Sequence, residues 1–122
     1  MSKPNTIKID EVEYVRADSV QEKATQLDGM DYVICRTYSA GVFAGYLESR
    51  EGQEVILRNA RRIWYWDGAA SLSQLAMEGT NAPGKCKFPC EVDSIILMQV
   101  IEVIKCTEMA RLSIKGVKIW KK

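Results

Sequence analysis

The sequence predicts one α+β domain: a small antiparallel β-sheet or partly closed barrel with two or three short helices. Three observations carry this. From Asp31 onward the pattern changes from helical to extended, beginning with Tyr32–Tyr38, a run rich in the β-branched and aromatic residues that strands favour. The extended runs are separated by short polar or glycine-bearing turns, the connection that joins antiparallel strands. At 122 residues, 47% hydrophobic and 27% charged, the chain has an ordinary globular composition for a single core.

The elements follow in order. Thr6–Ile9 and Val12–Val15 alternate around Asp10-Glu11 and predict a short hairpin. Asp18 or Ser19 caps a predicted helix running to about Leu27, with Glu22 placed for a capping box and Asp28-Gly29 as its stop. Residues 1–30 are thus expected as a hairpin and helix appended to a core of residues 31–122, all within one domain. Tyr32–Tyr38 is the first core strand, Ser39-Ala40-Gly41 a tight bend, and Val42–Ser49 the second strand. After a turn at Arg50–Gln53, Glu54–Trp66 predicts a third strand long enough to need a bulge or bend near Asn59. Asp67-Gly68 stops it ahead of a short helix, Ala69–Glu78, which Gly79 ends. Lys87–Val92 and Ile95–Lys105 read as two more strands around Asp93-Ser94. Thr107 caps a last helix through Lys115, with Glu108 in its first turn. Gly116 ends it, and Val117–Trp120 is expected as an edge strand.

Composition excludes several function classes. A net charge of +1 provides no long-range field for duplex nucleic acid, so any anion site must be local. No stretch is long and apolar enough for a membrane span; Ile95–Ile104 is short and broken by Gln99 and Glu102. With no export signal in the polar amino terminus, a reducing cytoplasm is expected, and Cys35, Cys86, Cys90 and Cys106 as free thiols. The sequence has no histidine, which removes the commonest general base, the commonest zinc ligand and every Ser–His or Cys–His pair. No cofactor and no metal are expected, and no enzyme activity.

Polar and aromatic residues concentrate in Arg58-Asn59-Ala60-Arg61-Arg62-Ile63-Trp64-Tyr65-Trp66. A regular strand would put Arg58, Arg62, Trp64 and Trp66 on one face and Asn59, Arg61 and Tyr65 on the other. Guanidinium forks suit phosphate oxygens and aromatic faces suit nucleobases, so the segment fits a nucleotide. The same residues also describe a solvated arginine face above a tryptophan-rich core. At the start of the Ala69 helix, Ser71 and Gln74 are candidates for hydrogen bonds to a ribose or base. Gly41 and Gly45 near Arg36–Ala44 make a tight bend rather than a phosphate loop, lacking the Gly-x-Gly pattern.

The runs Arg36–Leu47, Arg58–Trp66 and Gly68–Ala76 resemble a family of small phage and prophage proteins, over about Tyr32–Trp120. That family is similar to the phage anti-Thoeris sponges, which sequester cyclic ADP-ribose signals, some members also holding cyclic oligonucleotides. The resemblance implies a non-enzymatic sponge acting in the cytoplasm of a bacterial host and assembling as a homo-oligomer, dimer or higher. Its pockets use arginines and a stacking aromatic; by residue type Arg58, Arg61, Arg62, Phe88 and Arg111 match here. The other reading is a non-enzymatic structural or protein-interaction module, since Arg, Trp and Tyr also populate interface hot spots.

Overall fold

The structure, a computed structural model, describes residues 22–122. It is an α+β fold of five antiparallel strands and two helices. The strands are β1 (Tyr32–Thr37), β2 (Val42–Glu51), β3 (Glu54–Arg62), β4 (Glu91–Leu97) and β5 (Val100–Lys105). Helix α1 (Leu72–Glu78) lies between β3 and β4, and α2 (Glu108–Gly116) follows β5. A single 3₁₀ turn, Pro83–Lys85, precedes β4.

The sheet order is β4-β3-β2-β1-β5. β4 and β5 are consecutive in the chain yet occupy opposite edges. Only Met98 and Gln99 separate Leu97 from Val100, a span of about 10 Å even when extended, so the sheet must roll until its edges approach there. The amide of Val100 donates to Gln53 O at 2.9 Å and that of Tyr38 to Gln99 O at 3.0 Å, fixing this corner over the β2–β3 turn. No ladder joins β4 to β5, so the barrel stays open.

Rolling gives the sheet two cores. The inside of the roll buries Val33, Cys35, Phe43, Val55, Leu57 and Leu97. The opposite face buries Tyr32, Ile34, Ala44 and Tyr46 against Leu75 and Ala76 of α1, Ala110 and Ile114 of α2, and Phe88. Both faces are covered, and for this reason β1 reads as a continuous apolar run, Tyr32 to Cys35, each at most 1% exposed.

The β1–β2 bend forms where Ser39-Ala40-Gly41 placed it. Thr37 Oγ1 donates to Gly41 O and accepts from the Ala40 amide, both at 2.8 Å. The bulge near Asn59 is present as well. Tyr46 faces Arg58 and Ala44 faces Arg61, so Gly45 opposes two residues, Asn59 and Ala60, and Asn59 takes a left-handed φ of 50°.

Other expectations need correction. The Thr6–Val15 hairpin and the helix start at Asp18–Ser19 lie outside the described residues. Glu22–Leu27, expected as the end of that helix, is extended: Lys23 bridges Thr107, and Leu27 and Met30 exchange two backbone bonds around Asp28-Gly29. Both central residues have positive φ (51° and 80°), so this Asp-Gly is a two-residue hairpin turn and not a helix stop. The third strand ends at Arg62, short of Trp66. Asp93-Ser94 is no turn but lies within β4, with Ser94 opposite Arg58. The reversal is at Met98-Gln99, where Gln99 has φ 54°. Val117–Trp120 contributes one parallel bridge, Phe88 to Ile119, instead of an edge strand.

One buried hydroxyl stands out. Tyr32 is 1% exposed and its hydroxyl has no hydrogen-bond partner among the described residues; burial pushes its pKa far up. An orphaned buried hydroxyl is a cost, so Tyr32→Phe should leave stability unchanged or raise it by up to about 1 kcal/mol. Urea denaturation checks this; a clear loss would reveal a partner for the hydroxyl.

Candidate functional site

The structure disperses the arginines instead of gathering them. The bulge at Asn59 is the reason. It inserts a residue into the alternation, so Arg58 and Arg61 stand opposite Tyr46 and Ala44 of the helix-side core, and Arg62 stands opposite Phe43 of the other. The face predicted for a regular strand, Arg58 with Arg62, does not form.

Arg61 is 2% exposed. Its Nε donates to Pro89 O at 2.8 Å, Nη1 to Ile114 O at 2.8 Å, and Nη2 to Phe88 O at 3.1 Å and Val117 O at 2.6 Å. Burial draws its pKa down from the usual value. The charge is offset by four carbonyl dipoles, two of them at the carboxyl end of α2, where the helix dipole is negative. Arg61 is therefore a clamp joining β3, the Phe88–Pro89 segment and the end of α2, with no donor face turned toward an anion. Phe88 is 0% exposed, 5.4 Å beneath this guanidinium, and has no free face for a base to stack on. Both expectations of ligand contact are corrected on these grounds.

The remaining candidates are placed as follows. Arg62 lies 4.3 Å from the Phe43 ring centroid and donates to Ala40 O at 2.7 Å, bracing the β1–β2 bend. Arg58 is half exposed beside Glu48 at 3.6 Å. Arg111 binds both oxygens of Glu108, at 3.0 and 2.7 Å, and reaches Tyr46 Oη at 3.2 Å. That grip, with the Thr25 amide, holds the Glu108 carboxyl down at about 2. Ser71 is the N-cap of α1 and accepts from the Gln74 amide at 3.1 Å; Gln74 Oε1 accepts from the Ala70 amide at 2.8 Å. This is a reciprocal capping pair, which occupies both side chains structurally. Trp66 packs partly buried against the helix-side core.

Trp64 alone of the sequence candidates enters a surface with open aromatic area. It is 59% exposed and stacks on Trp120, 37% exposed, with centroids 5.3 Å apart and planes 26° from parallel. Lys87 Nζ stands 5.7 Å from both ring centroids. Three extended segments build this surface. Tyr65 and Lys87 exchange backbone bonds of 3.2 and 2.8 Å, and the Trp120 amide donates to Phe88 O at 3.0 Å. Buried Ile63, Phe88 and Val117 fix the segments from below. The Arg61 clamp holds two of the three, through Phe88 O and Val117 O, so the residue expected to touch ligand instead positions the residues that can.

Cations gather at the carboxyl end. No Asp or Glu occurs from Met109 to Lys122, and besides Arg111 and Lys115, which pair with Glu108 and Glu91, this stretch carries Lys118, Lys121 and Lys122. Indole faces attract planar π systems and ammonium groups attract phosphate or carboxylate, so the surface suits a ligand that is both aromatic and anionic. Sequence reasoning missed Lys87 and Trp120, because only the long-range pairing of residues 65, 87 and 120 brings them together. The available signal was a tryptophan within a lysine-rich terminal run.

A shallow, open depression of about 380 Å³ lined by Arg50, Gly52 and Val100–Val103 shares no residue with the aromatic surface. Among the described residues no group of three or more His, Cys, Asp or Glu is placed to hold a metal, and no helix is long and apolar enough to cross a membrane.

A family model described as a domain of unknown function (DUF6948) matches residues 30–114. The chain belongs to that family. No curated protein and no solved structure matches it. The DUF6948 match takes in all five strands, α1 and most of α2. Trp64 and Lys87 fall inside it, while Trp120 lies six residues beyond its end.

Proposed function

We propose that this DUF6948 chain is a non-enzymatic binding protein that holds a nucleotide at the Trp64–Trp120–Lys87 surface and releases it unchanged. The observation that carries the reading is the pair of stacked, solvent-facing indoles with an ammonium beside them, 5.7 Å from each ring centroid. The stacked indoles still leave aromatic area open to water, and a nucleobase with its phosphate suits both the ring surface and the ammonium. The resemblance of Arg36–Leu47, Arg58–Trp66 and Gly68–Ala76 to small phage and prophage proteins, a family similar to the phage sponges, suggests the ligand class: a cyclic nucleotide signal of the cyclic ADP-ribose type, sequestered in the bacterial cytoplasm.

Binding without cleavage is supported by the groups present. The sequence has no histidine. Asp31, Glu48, Glu91, Glu102 and Glu108 each face a cation within 3.6 Å, the common state of structural carboxylates.

Thermal melting with and without cyclic ADP-ribose tests the function. At a thousandfold excess over the dissociation constant, a ligand specific for the folded state stabilises it by ~4 kcal/mol. The nucleotide recovered after long incubation and denaturation should be intact. An unchanged melt with cyclic ADP-ribose and with cyclic dinucleotides would reject the sponge reading, and a cleaved product would reject binding without chemistry.

A further inference from the structure

We infer that two copies of this chain pair through β4, edge to edge and antiparallel about Ser94, so that the two rolled sheets become one continuous sheet. This stands independently of the nucleotide reading.

The two edges of the sheet differ in how they are defended. β5 carries Glu102, ion-paired with Arg36 at 2.9 Å, and Lys105, ion-paired with Asp31 at 3.6 Å. Charged residues of this kind keep a foreign strand off an edge. β4 has neither lysine nor proline, and its run Ser94-Ile95-Ile96-Leu97 is uncharged. On its outer side no backbone hydrogen bond joins it to another described residue. Two β-branched side chains stand open on it, Val92 at 45% and Ile96 at 60% exposure.

The pattern of β4 names the partner as a second copy. Val92 and Ile96 lie symmetrically about Ser94. An antiparallel two-fold through Ser94 therefore sets Val92 of each copy opposite Ile96 of the other, covering both exposed apolar residues twice. The small Ser94 occupies the axis, where a bulky residue would meet itself. The acidic residues agree: this register puts Asp93 opposite Ile95 and Glu91 opposite Leu97, so no two carboxylates face each other. A parallel pairing would oppose Asp93 to Asp93 and Glu91 to Glu91, which is destabilising. Such an isologous contact closes as a dimer and leaves no β4 edge to recruit further chains.

Light scattering on the full chain over a micromolar to submillimolar range tests this. The parent should show twice the 13.8 kDa chain mass. Ile96→Lys, which puts a cation into the contact twice, should raise the dimer dissociation constant at least tenfold with an unchanged far-ultraviolet spectrum. As a second variant, Ser94→Cys in a Cys90→Ser background should form a reducible disulfide dimer on mild oxidation, since directly opposed Cα atoms of an antiparallel pair lie about 4.5–5.5 Å apart, within the span of a disulfide. A parent that stays at 13.8 kDa throughout overturns the proposal, including the case in which the edge serves a strand from another protein. A dimer that Ile96→Lys leaves intact and Ser94→Cys fails to cross-link overturns it too, and would move the contact elsewhere.

Discussion

Arg61→Ala should lose about 4 kcal/mol of stability or more, enough to abolish folding at 37 °C if the domain sits at the lower end of the usual 5–15 kcal/mol. The side chain satisfies four main-chain carbonyls, on Phe88, Pro89, Ile114 and Val117. Truncation leaves carbonyls buried without donors, each costing about 1–3 kcal/mol, less whatever water enters the space left behind. Arg61→Lys keeps the charge, yet one ammonium with three donors cannot span four divergent carbonyls, so an intermediate loss is expected. Arg62→Ala is the control: it loses one carbonyl bond and a cation–π contact at a half-buried position, about 1 kcal/mol in total. Urea melts of the three variants measure this order. An Arg61→Ala protein within 1 kcal/mol of the parent would show that Arg61 is not the clamp described. Because the clamp holds the segments carrying Lys87 and Trp120, a surviving variant should also lose the stacked geometry of Trp64 and Trp120, visible as a change in near-ultraviolet circular dichroism.

Gly79→Ala should be nearly as severe, at roughly 3 kcal/mol or more. Gly79 ends α1 with φ 77° and ψ −160°, a region of backbone space open essentially to glycine alone. An added Cβ would also overlap Cβ and Oγ of Ser113 on α2 and stand 3.5 Å from Ala110 Cα. Relief requires the helices to part, which breaks the 3.0 Å bond from the Thr80 amide to Ser113 Oγ and uncovers Ala76 and Ala110. Gly84→Ala is the matched control: its Cβ meets nothing within 4 Å and its φ lies outside the positive range, so its effect should be near zero. Thermal melts compare the pair, and equal melting temperatures would contradict the packing assigned to Gly79.

The sequence made much of this fold legible and left its consequences hidden. Local chemistry marks the β1–β2 bend at Ser39-Ala40-Gly41, the Asn59 bulge and the cap at Thr107, because each depends on a few adjacent residues; α1, expected from Ala69, starts instead at Leu72 with Ser71 as its cap. The β4–β5 reversal was misplaced because Asp93-Ser94 has turn chemistry and Met98-Gln99 has none. Contacts with Gln53 and Tyr38, both distant in sequence, hold Gln99 left-handed there. Arg61 failed as a ligand candidate for a related reason: a bulge inverts every inside–outside assignment beyond it, and its carbonyl partners lie 27 to 56 residues away. Trp64 was legible as a candidate, whereas its partners Trp120 and Lys87 depended on pairing that no local pattern encodes.

The central claim is that the Trp64–Trp120–Lys87 surface holds the nucleotide, and titration of intrinsic tryptophan emission tests it most directly. Cyclic ADP-ribose added to the parent should quench the emission saturably, since a stacked base perturbs both indoles. Trp64→Ala, at an exposed position that should leave folding intact, should weaken binding by about 1–3 kcal/mol, or roughly 5- to 150-fold in dissociation constant. Lys87→Ala should weaken it less and make it less sensitive to salt. Saturable binding that is equally tight in the parent, Trp64→Ala and Lys87→Ala would place the ligand elsewhere and contradict the assignment of this surface.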